Sequence, residues 1–433
     1  YAEFAAMVPI SGSAYTYAYA SLGEFVAWII GWDLIVEYAV GNIGVAIGWS
    51  GYFRELLSHF GLDLPAWLAT DFRSAHDAAA AVARGATDAT SVYLASAITT
   101  APHIAGFPVI ANLPAFLVVA AITVILVIGI KESANSNNAM VLLKIGIIIF
   151  FLAVGAFFVK GENWNNPATG GFAPNGFAGI SAAAAIIFFS YIGFDAVSTT
   201  AEEAQNPQRD LPIGIFASLG ICTLLYIAVA AVLTGLVPFS QIDIHAPVAE
   251  GLRVAGFKWG AAIVAVGAVA GITSVLVVMM LGQIRVFFAM SRDGLLGPWL
   301  SGVHPTFRTP HHATYLTGIA VAIMAALIPI GEAADMTNIG TLFAFVLVCI
   351  GIIVLRYTNP NHPRPFRMPF MPVIPILGVL ACVGLMYFLP WMTWIRFFVW
   401  TIIGIVVYAT YGIRRSKLAI SSAVQTSTSA RPA

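Results

Sequence analysis

One lysine and one aspartate stand alone in two long apolar stretches of this sequence. Lys144 is the only charged residue of the stretch 139–159, and Asp195 is the only charged residue of the stretch 179–200. In a membrane-spanning helix, a charge at the centre costs about 2.5–3.5 kcal/mol to insert. Such residues therefore face a cavity, a partner or an ion path, and both stretches are candidate sites for chemistry inside a membrane.

The residues around Asp195 predict a helix that breaks within the membrane. Gly193 has no β-carbon and lets the backbone leave helical geometry, and Asp195 then fits the N-cap of a second half-helix over 196–203. A break frees carbonyl groups at one helix end and N–H groups at the other, which can hold an ammonium and a carboxylate. An α-amino acid carries both groups. The alternative is a continuous helix in which Gly193 packs closely and Asp195 faces a polar interface.

Lys144 also has two interpretations. It lies five residues into its apolar stretch, where a lysine can extend its amine to the lipid headgroups. The other interpretation is a buried amine that gains and loses a proton while a substrate crosses the membrane. The sequence leaves both roles open.

Two further acids lie in the first long apolar stretch. Asp33 and Glu37 are four residues apart and share one helix face, which is unfavourable unless that face is wet or paired. Asp33 fits an interfacial acid near a helix end. For Glu37 three roles remain open, namely a partner of Lys144, a substrate ligand and a lining residue of a water path.

Composition identifies the class of protein. Of the 433 residues, 59% are hydrophobic and 9% are charged, whereas soluble domains have about 25% charged residues. The net charge is zero and only 20 residues are basic, which excludes a nucleic-acid partner. The cysteines and the histidines of the longest polar connection lack metal-ligand spacing, so we expect neither a metal nor a cofactor. These residues are Cys222, Cys349, Cys382, His59, His76 and His103.

The apolar stretches predict an all-α integral membrane protein with about ten spanning helices, since a span needs about 20 apolar residues. We expect one transmembrane domain over residues 1–415, a long extracellular loop over 51–112 and a disordered cytoplasmic tail over 416–433. The distribution of arginine and lysine among the connections places the C-terminus in the cytoplasm. The predicted spans are 14–50, 113–130, 139–159, 179–200, 212–236, 259–284, 313–330, 339–355, 371–390 and 397–411.

Several strings, distributed over nearly the whole chain, resemble one transporter superfamily. FFSYIGFDAVSTTAEEAQNPQRDLP at 188–212 resembles the sixth-helix region of the amino acid–polyamine–organocation superfamily. YAEF at 1–4, RVFFAMSRDGL at 285–295 and HPTFRTP at 304–310 extend the resemblance. Within the superfamily, the chain is most similar to the cationic amino acid transporter family and its bacterial members.

This resemblance implies a five-plus-five inverted-repeat (LeuT-like) transporter fold with two extra C-terminal helices. It implies that Phe189 is an aromatic gate over the substrate, and that carbonyl groups near Phe189, Ser190 and Ile192 accept the substrate's amino group. Family members have a Gly-rich broken first helix and most of a second helix before YAEF. The first residue here is not Met, so we expect the chain to begin partway into its gene product.

The resemblance also bears on the ion-coupling residues. Lys144 resembles the fifth-helix lysine that replaces sodium in proton-coupled members. Thr273 and Ser274 fall where the eighth helix approaches that position, although ordinary helix-packing hydroxyls are an equal interpretation.

We therefore expect a secondary active amino acid permease, not an enzyme, that works by proton symport and alternating access in the plasma (inner) membrane. Its partners are an amino acid, protons and the lipid bilayer, and an accessory membrane peptide is left unspecified. One alternative is an exchanger of cationic amino acids or polyamines without net proton coupling. Two others are a non-transporting membrane sensor and a membrane-embedded enzyme that uses Asp33, Glu37 and Asp195.

Overall fold

Apolar helices dominate the computed structural model, which describes residues 1–7, 13–86, 89–129, 134–165, 170–194, 197, 204–242 and 246–416. One two-residue hairpin, β1 (His103–Ile104) with β2 (Phe107–Pro108), departs from the all-α prediction. The α-helices are α1 (Ala2–Met7), α2 (Ser13–Ser21), α3 (Glu24–His59), α4 (Ala66–Ala69), α5 (Phe72–Ala83), α6 (Ala89–Thr100), α7 (Leu113–Ile128), α8 (Ala134–Gly155), α9 (Gly176–Ile187), α10 (Pro207–Leu236), α11 (Pro247–Val254), α12 (Lys258–Arg292), α13 (His311–Leu327), α14 (Ile330–Thr358), α15 (Val373–Tyr387), α16 (Trp391–Val407) and α17 (Ile413–Arg415). Short 3₁₀ turns comprise Ala156–Phe158, Gly161–Asn163, Phe188–Tyr191, Phe239–Gln241 and Pro298–Ser301, and a π-turn comprises Tyr408–Gly412.

The described helices agree with the predicted number of spans. Six are long and apolar enough to cross a membrane, and four shorter apolar helices accompany them. The prediction of one helix over 14–50 is wrong, because the chain turns between α2 and α3. Gly23 has a φ of +87° there, a left-handed conformation that glycine adopts at little cost.

Helix α3 forms the centre of the bundle. It packs against α2, α7, α12, α13, α14 and α16, and most of its membrane-length window is buried. Helices α8 and α10 are mostly exposed by comparison, and leucines such as Leu142 and Leu224 point away from the protein. Exposed apolar side chains of this kind suit a lipid-facing surface.

The long connection between α3 and α7 is a folded cap rather than an open loop. Asp71 caps α5 by accepting a hydrogen bond of 2.8 Å from the Ser74 N–H, as the first turn of a helix requires. The alanine-rich faces of α4, α5 and α6 then bury against one another. A hydrogen bond of 2.9 Å from the Asn112 N–H to the Ala326 carbonyl attaches the cap to the end of α13.

A buried ion cluster fixes α1 to the other end of the bundle. Glu3 is 3% exposed and accepts two hydrogen bonds of 2.8 Å from the Arg356 guanidinium. Its carboxylate also accepts one of 2.8 Å from the Met368 N–H, and Arg364 Nε lies 3.5 Å away. A bidentate pair of this kind sets both distance and orientation, so α1 is held against the end of α14.

Two tryptophans join α16 to the central helix. The Trp32 indole donates to the Trp400 carbonyl at 2.9 Å, and the Trp400 indole donates to the Trp32 carbonyl at 3.1 Å. Their rings stack with centroids 4.6 Å apart. This reciprocal pair closes one face of α3.

Candidate functional site

Helix α9 loses its regular geometry where the sequence predicts a break. The α-helix ends at Ile187, a 3₁₀ turn follows over Phe188–Tyr191, and Gly193 then has a φ of +115°. The prediction that the backbone leaves helical geometry at Gly193 is confirmed, because only glycine tolerates that angle well. Asp195 and the predicted half-helix 196–203 lie outside the described residues, apart from Val197.

Neighbouring side chains bond to the backbone groups that this break releases. The Asn338 side chain of α14 donates a hydrogen bond of 2.8 Å to the Ile186 carbonyl. The Ser190 hydroxyl donates one of 2.6 Å to the Ile187 carbonyl. The end of α9 is therefore stabilised by side chains instead of by further helix.

Two of the carbonyl groups that we expect to bind a substrate's amino group, those of Phe189 and Ser190, already accept one hydrogen bond each. The Phe189 carbonyl accepts from the Ile192 N–H at 3.2 Å, and the Ser190 carbonyl accepts from the Tyr226 hydroxyl at 2.6 Å. A carbonyl oxygen has two lone pairs. Each can thus accept a second hydrogen bond from an ammonium group.

Aromatic rings lie on both sides of the break. Phe189 contacts α3 at Gly44, where a β-carbon would lie 3.0 Å from Cζ of the Phe189 ring. On the other side the rings of Tyr1, Phe194 and Phe345 meet edge to face, with centroids 5.1–5.6 Å apart. The broken segment is thereby held between α3, α1 and α14.

Lys144 lies at the contact between α8 and α12. Its amine donates a hydrogen bond of 3.1 Å to the Ser274 hydroxyl. Its aliphatic stem lies along Gly271, where a β-carbon would be 3.0 Å from the Lys144 Cγ. Of the alternatives left open by the sequence, an ion pair between Lys144 and Glu37 is not among those that the described residues form.

Thr273 differs from its neighbour Ser274 in what it bonds. Its hydroxyl donates to the Val269 carbonyl at 2.7 Å and accepts from the Trp49 indole at 2.9 Å. Thr273 therefore joins α12 to α3, and Ser274 alone of the two contacts the lysine.

Glu37 is buried in the middle of the bundle, with 1% of its surface exposed. It lies seven residues before Gly44 on α3, which is about 10 Å along a helix axis. Two buried amides lie on other parts of the contact between α3 and α12, with 3.4 Å between Asn42 Nδ2 and Gln283 Oε1. The Gln283 amide also donates to the Ile35 carbonyl at 3.4 Å, which joins α12 to α3.

Sequence reasoning missed Asn338, Tyr226 and Phe345. Asn338 is fully buried on α14, but it lies just before the predicted span 339–355 and next to Thr337, so the sequence carried no clear signal for it. Tyr226 and Phe345 had no clear signal either, because aromatic residues are common in spans. Within the described residues, no group of three histidine, cysteine, aspartate or glutamate side chains is arranged to hold a metal ion.

Comparison with known proteins identifies the family. Residues 1–408 match the family model described as amino acid permease. The chain is 47% identical over 420 residues to the branched-chain amino acid permease BcaP of Bacillus subtilis (strain 168), covering 96% of this chain and 83% of that relative. It is 43% identical over 419 residues to the methylthioribose transporter of the same organism, with the same coverage. It is also 35% identical over 364 residues to the vacuolar cationic amino acid transporter 4 of Arabidopsis thaliana, covering 83% of this chain and 55% of that protein.

The chain belongs to the amino acid permease family. With its set of long apolar helices, it is a multi-pass membrane protein. The family and these relatives are transporters rather than enzymes.

Proposed function

We propose that this protein is a secondary active permease that carries an amino acid together with protons by alternating access. The observation that carries the proposal is the end of α9 at Ile187, followed by the turn at Gly193 inside an apolar segment. Broken helices in a membrane protein occur where backbone groups line a cavity or bind a substrate. The five-plus-five inverted-repeat fold with two extra C-terminal helices belongs to the same proposal.

The substrate site is proposed around the broken segment. Carbonyl groups of Phe189, Ser190 and Ile192 would accept the amino group, and the Phe189 ring would cover the substrate from the side of α3. Gly193 supplies the turn, and Asp195 is proposed to complete the site. Glu37 is proposed to face the substrate's side chain, because it is a buried acid on the helix that Phe189 contacts.

Lys144 is proposed to carry the coupled proton. Its amine is half-buried between α8 and α12 and bonds to a neutral hydroxyl, that of Ser274. Within the described residues, no carboxylate forms an ion pair with this amine. An amine without a counter-charge loses its proton more readily than one in a salt bridge. Ser274, with Thr273 beside it, would hold the amine at the contact between the two helices.

The orientation and membrane are also proposed. Arginines are concentrated in the last turn of α14, in the connection between α14 and α15, and in α17. They are Arg356, Arg364, Arg367, Arg414 and Arg415. Under the positive-inside rule this end of the bundle is cytoplasmic. We therefore place the protein in the plasma (inner) membrane with its C-terminus in the cytoplasm, as one transmembrane domain over residues 1–415.

Uptake by the purified protein in liposomes tests the proposal. Labelled leucine, arginine and methylthioribose should be offered with and without an imposed pH gradient. We expect one amino acid to accumulate only with the gradient, and a protonophore to abolish that accumulation. Lys144→Ala should lose gradient-driven accumulation at least tenfold while it retains exchange of labelled for unlabelled substrate. If no amino acid enters the liposomes or raises the melting temperature, the proposal is wrong.

A second candidate is exchange of cationic amino acids or polyamines without net proton coupling. The buried Glu37 carboxylate favours it, since an acid beside the substrate suits a cationic side chain. Uptake that follows the substrate gradient, ignores the pH gradient and survives Lys144→Ala would establish this alternative.

A further inference from the structure

Asp33 is a buried carboxyl group that is not part of the proposed substrate site or of the proposed proton site at Lys144. It lies on α3, one turn before Glu37, and is 3% exposed. Neither of its carboxylate oxygens has a hydrogen-bond partner within the described part of the chain. The sequence assigned it to a membrane interface, but the structure places it against α14 and α16.

The donors that surround Asp33 are already engaged. The Trp28 indole donates to the Gly404 carbonyl at 2.9 Å, and the indoles of Trp32 and Trp400 bond to each other's backbone carbonyls. The Thr401 hydroxyl donates to the Phe397 carbonyl at 2.9 Å. An ionised carboxylate here would therefore lack the hydrogen bonds that normally stabilise it.

Water cannot supply enough hydrogen bonds to stabilise an ionised carboxylate here. The cavity beside the carboxyl group has a volume of only about 10 Å³ in which the centre of a water molecule can lie. It can therefore hold about one water molecule. Three indole rings and Phe343 contribute to its wall. A single water cannot replace the hydration shell of an anion, and an unpaired buried charge is far more costly than a neutral polar group.

Among the described residues of α14 and α16 that face Asp33, none carries a positive charge that could pair with its carboxylate. The stretches 337–343 of α14 and 400–405 of α16 contain no ionisable residue. Glu37 is the nearest carboxyl group on α3, and as a second acid it supplies no counter-charge. These facts together favour the neutral acid.

We propose that Asp33 is a second proton-binding site of this permease, occupied in the conformation described here. Its link to the substrate site runs through α14. A β-carbon on Gly340 would lie 2.9 Å from Asp33 Oδ1, and Asn338, two residues earlier, holds the Ile186 carbonyl at the end of α9.

A displacement of α14 relative to α3 would thus move the end of α9, and it would also move the segment of α14 around Gly340 that covers Asp33. When that cover opens, water reaches the carboxyl group and the proton leaves. Proton binding therefore favours the present arrangement, and by linkage that arrangement favours proton binding. The role in transport rests on the proposed proton-coupled function, whereas the protonation state does not.

Infrared spectroscopy of the lipid-reconstituted protein tests the protonation state. We expect native protein at neutral pH to show the carbonyl-stretch band of a protonated carboxylic acid, shifted in heavy water and absent from Asp33→Asn. Asp63→Asn removes an exposed acid of the cap and should leave the band in place. Titration of the native protein to alkaline pH should remove the band without any substitution. A native spectrum lacking a band that depends on Asp33 would overturn the proposal, whether or not the protein transports.

Transport by Asp33→Asn tests the coupling role. We expect gradient-driven accumulation to fall at least tenfold, with substrate still raising the melting temperature as in the native protein. Asp33→Glu should restore part of the accumulation, which a merely structural role for the side chain would not produce. If the band is present and Asp33→Asn accumulates substrate as the native protein does, Asp33 binds a proton without coupling it, and the coupling role is overturned.

Discussion

Asn338 on α14 donates a hydrogen bond of 2.8 Å to the carbonyl oxygen of Ile186, the residue before the last of α9. The two residues are 152 positions apart. The bond adds a side-chain donor to a carbonyl that also accepts a backbone N–H, and it joins the end of α9 to α14. A movement of α14 must therefore carry the end of α9 with it or break this hydrogen bond.

Replacement of Asn338 tests this bond. Asn338→Leu keeps the branched shape of the side chain but removes the donor, so the Ile186 carbonyl keeps only its backbone partner, and one lost hydrogen bond costs about 1 kcal/mol. We expect a lower melting temperature and at least tenfold slower uptake. Thr358→Val on the exposed end of α14 removes only a hydroxyl bonded to its own helix and should change neither. Native-like uptake by Asn338→Leu would refute a role for this bond in transport.

The neighbours Thr273 and Ser274 should separate structure from coupling. Ser274→Ala removes the partner of the Lys144 amine, and we expect the pH dependence of uptake to shift with little change in stability. Thr273→Val removes the shorter of the two hydrogen bonds that the Trp49 indole donates, the other going to the Val269 carbonyl at 3.2 Å, and a lost hydrogen bond lowers stability by about 1 kcal/mol. Its uptake should keep the native pH profile. The measurements are uptake against pH and thermal unfolding, and an identical pH profile for all three proteins would exclude Ser274 from coupling.

Substitutions of two glycines one turn apart on α3 test the position of Phe189. In Gly44→Leu the new side chain would occupy the place of the Phe189 ring, since even a β-carbon lies 3.0 Å from it. We expect at least tenfold weaker substrate uptake. A β-carbon on Gly48 would meet no atom within 4 Å, so Gly48→Leu should transport normally. Equal losses in both variants would show that the helix surface, and not Phe189, is responsible.

The Glu3 cluster should contribute strongly to stability. Glu3→Gln leaves Arg356 and the buried Arg364 without their shared carboxylate, and a broken buried ion pair costs about 3–5 kcal/mol. Arg253→Gln breaks an exposed pair with Glu250, for which about 0–1 kcal/mol is expected. Thermal unfolding of both variants measures the difference. Comparable melting temperatures would mean that the cluster is hydrated rather than buried.

Local composition was sufficient to predict much of this protein. Apolar stretches predicted the membrane helices, because a spanning segment must satisfy its own backbone and face lipid. Gly193 predicted the departure from helical geometry, because the φ there is set within the residue itself. Gly23 carries the same information, but it lies within a long and mostly apolar stretch, and the break between α2 and α3 was missed.

Contacts between distant residues could not be predicted in this way. Local composition could not assign Asn338 to Ile186, or Asp33 to a tryptophan-lined cavity instead of an interface. For Lys144 it left Glu37 open as a partner, and only the family resemblance placed Ser274 near the lysine. Each assignment depends on how helices far apart in the chain are rotated and placed against one another. A one-dimensional pattern fixes which face of a helix is apolar, but the partner of a buried polar group is set by the packing of the whole bundle.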